Sequence, residues 1–281
     1  MAEQVTAVAS ANIAFIKYWG NLDPALRIPF NDSLSMNLSA ATTTTTVRFD
    51  DDLAHDHVVI DGDPASAPAH DRVVTHLDHV RRRAGTDARA VVTSTNTFPM
   101  GTGIASSASG FAALSVAAAA AAGLALSERE LSCLARLGSG SAARSVPGGF
   151  VAWRSAHDDA GSYAWSLAPP EHWDLRDLVA VISRAHKTVG STGGHAAALT
   201  SPLYGARLAE LPARLAQVRQ AVLDRDFPRL ASAVEAEALS LHAVALTSRP
   251  PILYWAPGTV ALLRQVARWR ADGLAVCFTL D

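Results

Sequence analysis

What this chain lacks narrows it first. It has only two cysteines, Cys133 and Cys277, far apart in the sequence. That excludes a disulfide framework and gives no zinc-ligand spacing, so both are expected as reduced thiols packed like small apolar residues. It has no charge excess: 24 Lys and Arg stand against 26 Asp and Glu, a formal net charge of −2. A general nucleic-acid binder would carry a basic footprint. It has no apolar run long enough for a bilayer. The most apolar stretch, 111–126, is mostly alanine and shorter than the ~20 residues a span needs. The N-terminal segment has no basic n-region, and Lys17 interrupts its one apolar candidate, so no signal peptide is read. The expected location is the cytoplasm, with neither nucleic acid nor membrane as a partner.

What is present fits a globular enzyme. Hydrophobic residues make up 49% of 281 and charged residues 18%, a composition that excludes global disorder. At about 150 residues per domain, the length allows two domains or one large one, with core enough for catalysis. The N-terminal third reads as strands at 5–16, 33–49, 58–60 and 90–95. The run Thr42 to Thr46 is β-branched and suits a half-buried strand. Val73, Val74, Leu77 and Val80 have helical spacing, and Gly85 follows as a C-cap. Ser127 and Glu130 form a capping box for the next helix. Strands follow at 150–153 and 163–167. Pro169-Pro170 marks a composition shift. Beyond it a buried strand is expected at 178–183, helices at 202–223, 227–246 and 259–271, and a last strand at 274–280.

One segment is more telling. Thr97-Phe98-Pro99-Met100-Gly101-Thr102-Gly103-Ile104-Ala105-Ser106-Ser107 leads from a strand into the alanine-rich helix. Strand, glycine-rich loop and long helix bring backbone N–H groups and a helix N-terminus against a phosphate. The loop is neither G-x-G-x-x-G nor a Walker A sequence. A tight turn feeding a core helix is the plain alternative. The histidine clusters His55-x-His57 and His76-x-x-His79 are expected on solvated surface, and no protein metal cage is read.

Four ordered segments then resemble the mevalonate diphosphate decarboxylase family of the GHMP kinase superfamily. They are Asn12-Ile13-Ala14-Phe15-Ile16-Lys17-Tyr18-Trp19-Gly20, the loop from Phe98-Pro99 to Gly103-Ile104-Ala105-Ser106-Ser107-Ala108, the stretch Gly138-Ser139-Gly140-Ser141-Ala142-Ala143-Arg144-Ser145, and Asp281 closing a Phe-Thr-x-Asp strand. The resemblance implies an α+β, two-domain GHMP kinase fold. Its parts would be a ribosomal-protein-S5-like domain at 1–176 and a ferredoxin-like domain at 177–281, with the active site between them. It implies a further turn and strand after Asp281, so the second domain as given is expected to lack its last strand. Homodimers occur in the family.

The implied chemistry is ATP-dependent, with Mg2+ arriving on the nucleotide. The 3-hydroxyl of a phosphorylated mevalonate takes the γ-phosphoryl of ATP, phosphate leaves, and the carboxylate departs as CO2. Asp281 would orient the hydroxyl or take its proton. Lys17, expected to share a strand face with Phe15 and Trp19, needs an anionic partner that a phosphate or Asp281 would supply. Arg144 would hold the substrate carboxylate as a bidentate fork. Asn96, Gly101, Gly103, Ala105, Ser106 and Ser107 would contact the nucleotide, while Tyr18, Ser139, Ser141, Ser191 and Thr192 would contact the substrate. Gly194-His195 stands where the family has Gly-Met.

Two departures bear on the substrate. Asn21 follows Tyr-Trp-Gly where diphosphate enzymes have lysine, and Thr75 aligns with a basic position. Each charge-assisted contact is worth about 1.5–3 kcal/mol. Their loss points to mevalonate 5-phosphate and an isopentenyl phosphate product. Mevalonate 5-diphosphate is the alternative. A GHMP-type kinase without decarboxylation has no need of the Arg144 segment, and a non-catalytic binding protein has no need of Lys17, Ser107, Arg144 and Asp281 together.

Overall fold

The computed structural model describes residues 3–99, 106–183 and 188–281. The fold is α+β. In chain order its strands are β1 (Gln4–Ile16), β2 (Asn21–Asp23), β3 (Ile28–Pro29), β4 (Ser33–Asp50), β5 (His57–Ile60), β6 (Asp63–Pro64), β7 (Arg89–Asn96), β8 (Phe150–Trp153) and β9 (Ala164–Ala168). Its helices are α1 (Ala67–Ala84), α2 (Ser106–Ala121), α3 (Glu128–Gly138), α4 (Ser191–Ala198), α5 (Tyr204–Asp224), α6 (Phe227–Thr247) and α7 (Pro257–Ala271).

The long strand β4 organises a seven-stranded mixed sheet. One of its edges pairs antiparallel with β1 along most of its length, while the other pairs with β8 at 33–36 and with β7 at 43–50. The threonine run is strand, and its alternation is visible in burial: Thr43 and Thr45 are buried, as are Val47 and Phe49. The buried hydroxyls are satisfied. Thr43 Oγ1 lies 2.7 Å from Ser109 Oγ and donates to Asn96 Oδ1, and Thr45 Oγ1 lies 2.9 Å from Ser94 Oγ. A buried polar group without such a partner would cost stability.

Two cores flank this sheet. Val47, Phe49 and Val92 pack with α1, α2 and α3. Alanines 112, 113, 117, 118 and 119 are fully or almost fully buried, so α2 lies close to the strands. Ile13, Phe15, Leu34, Met36 and Phe150 instead meet Leu211 and Val218 of α5 and Leu230 and Val234 of α6. The C-terminal helices are thereby joined to β1 and β4. By length and apolarity α6 could cross a membrane, but its buried face, Glu237 included, is core.

The capping box at Ser127 and Glu130 and the left-handed Gly85 cap are both formed. Two expected strands are not. Residues 178–183 and 274–280 have no strand ladder, and all ladders among the described residues lie within 4–168. Leu178 is 93% exposed, and Val179, Val181, Ile182 and Leu274 are also open to solvent. An apolar run becomes a strand only when a neighbouring strand pairs with its N–H and C=O groups in a ladder, and among the described residues neither run has such a neighbour. Another correction concerns His76. It is buried on α1 with Nε2 2.8 Å from Ser115 Oγ of α2, whereas His55 and His57 are exposed.

Candidate active site

The end of β1, the N-terminus of α2, the turn after α3, the start of α4 and the C-terminal residues converge on one cavity of about 380 Å³. Along β1 the alternation is simple: Ile13 and Phe15 enter the core, while Asn12 and Ala14 line the cavity. The strand ends at Ile16, and the expected common face of Phe15, Lys17 and Trp19 is not formed: Lys17 and Trp19 line the cavity, and Phe15 does not. Lys17 turns into the cavity, while Phe15 stays in the core with α5 and α6.

Lys17 is only 3% exposed, and its Nζ donates to Asp281 Oδ1 at 2.5 Å. Its backbone is held as firmly. The N–H donates to Glu237 Oε1 at 3.2 Å, and the carbonyl accepts from Asn31 Nδ2 at 3.1 Å and Arg207 Nη2 at 3.2 Å. Glu237 is fully buried and also takes Arg207 and Arg214 as ion-pair partners. A buried carboxylate of this kind persists only when paired.

Arg144 is buried in the 3-10 turn Gly140–Ser145. Its Nη1 donates to Ser33 Oγ at 2.7 Å and its Nε to Asn12 Oδ1 at 3.3 Å. Asn12 is oriented in turn, since its Nδ2 donates to Ser141 O and Ser145 Oγ. The guanidinium lies over the Trp153 ring. Burial lowers Arg144 to about 10, with Asp281 and Tyr18 pulling the other way, so it stays cationic near neutrality. Ser107, Ser139 and Ser141 form a hydroxyl row, 3.2 and 3.4 Å apart, from the mouth of α2 toward Arg144.

Tyr18 lies against Gly140, where any side chain would collide with its ring. Its hydroxyl donates to Asn21 Oδ1, and burial pushes it up to about 12 against the pull of Arg27 and Arg144. The small-residue run 138–141 is thus partly filled by the protein's own rings: Gly138 makes the same room for Phe111.

Ser106, Ser107, Ser139, Ser141, Ser191 and Thr192 all line the cavity with Lys17, Tyr18, Arg144 and Asp281. Asn96 does not. Its side chain bonds Asp61 and Thr43, tying β7 to its neighbours. Gly101, Gly103 and Ala105 lie outside the described residues.

Sequence reasoning missed two cavity residues of consequence, Arg27 and Arg72. Arg72 is on α1, one turn before Thr75, whose hydroxyl bonds back to Asp71 O. The two guanidiniums reach the same helix end: Arg27 Nε donates to Leu137 O at 3.0 Å and Arg72 Nη2 to Gly138 O at 3.3 Å. Burial and then repulsion from Arg27 lower the pKa of Arg72. Neither forms an ion pair among the described residues. Among the described residues that line the cavity, the cations Lys17, Arg27, Arg72 and Arg144 face the carboxylate Asp281, and Asp177 lies close enough to act on it, which still leaves a surplus suited to a multiply charged anion. The expected shortage of positive charge is therefore corrected. Asn21 is occupied by Tyr18, but the cations come from Arg27 and from the turn of α1 before Thr75.

A mixed sheet backed by α2, with serines at its N-terminus and a cationic cleft shared with C-terminal helices, defines the GHMP superfamily architecture. Residues 9–164 match the diphosphomevalonate decarboxylase-like N-terminal domain, and residues 177–281 match the mevalonate 5-diphosphate decarboxylase C-terminal domain. The chain belongs to the mevalonate diphosphate decarboxylase family and is an enzyme of the ATP-dependent carboxy-lyase class. It is 38% identical to the diphosphomevalonate decarboxylase of Ganoderma lucidum, over 99% of this chain and 76% of that protein. It is 36% identical to the phosphomevalonate decarboxylase of Haloferax volcanii, over 99% and 85%. A solved structure described as MDDEF in complex with MVAPP, AMPPCP and magnesium superposes with a TM-score of 0.92 at 38% identity, covering 99% of this chain and 86% of that one.

Proposed function

We propose that this chain decarboxylates mevalonate 5-diphosphate at the expense of ATP, giving isopentenyl diphosphate, CO2, ADP and phosphate. The observation that carries the diphosphate is the pair Arg27 and Arg72. Two mutually repelling guanidiniums, neither in an ion pair among the described residues, favour a dense anion, and a diphosphate carries more charge than a monophosphate. The monophosphate reading rested on cations missing at Asn21 and Thr75; Arg27 and Arg72, which line the cavity, support the diphosphate instead. Relatives with either substrate resemble the chain about equally, so the resemblance alone favours the diphosphate only by number.

The residues divide the work by chemistry. Ser106 and Ser107 at the α2 N-terminus offer O–H and N–H donors to nucleotide phosphates. The cation surplus fits ATP with Mg2+, which supplies charge neutralisation during phosphoryl transfer. Asp281 accepts the 3-hydroxyl proton as the O–P bond forms, and Lys17 fixes the carboxylate and faces the transferred group. Arg144, with Nε and Nη1 held by Asn12 and Ser33, retains Nη2 for the substrate carboxylate. Ser139, Ser141 and Tyr18 line the path between these groups, and Ser191 and Thr192 contact the phosphorylated end.

Steady-state assays with both mevalonate esters, with products identified by mass spectrometry, test this reading. The expected result is CO2 release with a higher kcat/KM for the diphosphate. A higher kcat/KM for the monophosphate would restore that substrate. Phosphorylated product without CO2 would make the chain a kinase.

A further inference from the structure

His195 of α4 is absorbed by none of the roles above. Its Nδ1 accepts the Gly20 N–H at 2.8 Å. Its ring stacks on Tyr18, with centroids 4.2 Å and planes 30° apart, and leans on Trp19 at 4.8 Å. Gly194 makes this possible, because a side chain there would strike the Trp19 ring. A nitrogen that accepts carries no hydrogen, so the neutral imidazole bears its proton on Nε2. Burial, then Arg27, Arg144 and Arg207, hold the ring neutral, down at about 3. The ring lines the cavity beside Tyr18, Ser191 and Thr192, and among the described residues Nε2 has no hydrogen-bond partner.

We propose that His195 is a substrate-binding residue whose Nε2–H donates an uncharged hydrogen bond to a phosphoryl oxygen of the mevalonate ester. This rests on the reading of the cavity as the site of a phosphorylated mevalonate. His195 lines the same cavity as Arg27, one of the two guanidiniums read above as the anion's partners. A further cation there would repel Arg27 and Arg144; a neutral donor adds a contact without adding to that repulsion.

Two variants separate this role from packing. His195→Asn keeps an acceptor where Nδ1 meets Gly20 and removes the cavity donor, whereas His195→Gln carries an amide N–H to the position of Nε2. The Asn variant is expected to raise the ester KM about tenfold or more with the ATP KM unchanged, and the Gln variant to stay within about threefold of the parent. A parental ester KM in the Asn variant, or equal losses in both, overturns the inference. Side-chain nitrogen NMR of the parent with labelled histidine gives a readout that needs no turnover. It should show a protonated Nε2 that shifts on adding either ester; a protonated Nδ1, or no shift, would also sink it. Should the parent turn over neither ester, that shift still decides this inference separately from the reaction.

Discussion

Lys17 and Asp281 are 264 positions apart in sequence, and their side chains meet at 2.5 Å. The contact brings the end of β1 to the last residue of the chain. The lysine cannot drift, because Glu237, Asn31 and Arg207 hold both its N–H and its carbonyl. Its ammonium is therefore aimed by α5 and α6, although it is carried by the sheet. This is how the helical C-terminal half enters the chemistry of a cavity lined largely by the N-terminal half.

Asp281→Asn removes the proton acceptor while keeping size and polarity. We expect kcat to fall by about 10²- to 10⁴-fold, with ester affinity by calorimetry within a few-fold of the parent. An Asn variant with parental kcat would take Asp281 out of the proton transfer.

Arg144→Gln tests a different step. Gln can still reach toward Ser33 or Asn12 but offers no cationic donor in place of Nη2 to a carboxylate. The expected outcome is a kcat lower by about a hundredfold or more with little change in ATP KM, since the lost contact is charge-assisted and acts on the departing group. Equal losses with ATP and ester would point to a folding defect instead.

Arg72→Gln should discriminate between the esters. Losing one charge-assisted contact is worth about 1.5–3 kcal/mol, or roughly a ten- to hundredfold rise in KM for the diphosphate. The monophosphate should suffer much less. An equal rise for both esters would mean that Arg72 does not address the distal phosphate.

Much of this site was legible, and the failures have physical causes. The sequence pattern of β1 and β4 shows which residues alternate. The Gly138–Arg144 segment and the capping box at Ser127 announce themselves by residue type. His76 could have been read as buried, because it follows Val73 by three positions on the stripe that continues through Leu77 and Val80. Arg72 shares the face of Thr75 one turn earlier, but only the fold shows that this face borders the cavity. The runs 178–183 and 274–280 have strand-like composition, and composition cannot say whether a partner strand lies alongside. Nor can it say that the spaces at Gly138 and Gly140 are taken by Phe111 and Tyr18.

Glu237→Gln should cost stability even though it lies behind the cavity. Arg207 is almost fully buried, and it would keep its charge while losing its counter-ion. Breaking a buried pair in this way costs about 3–5 kcal/mol, and Arg214 reaching solvent argues for the lower end. Urea denaturation should show a lower midpoint at unchanged slope. A midpoint equal to the parent's would mean that the network contributes nothing net.

Acid should weaken the fold through His76. Burial, followed by His79, Arg83 and Arg27, lowers this imidazole from 6.5 to about 3. The native state therefore refuses a proton that the unfolded chain accepts once pH falls below about 6.5. The unfolded state then binds more protons, and stability declines by about 1.4 kcal/mol per pH unit for this residue, until pH approaches the native value. Above 6.5 both states are neutral and the effect vanishes. His195 adds a second contribution of the same sign. His76→Gln can keep a hydrogen bond to Ser115 and cannot titrate. Its stability measured between about pH 5 and 6.5 should fall less steeply than the parent's, by about one proton's worth of slope. Identical slopes would show that the buried ring is protonated in the native state or is not buried at all.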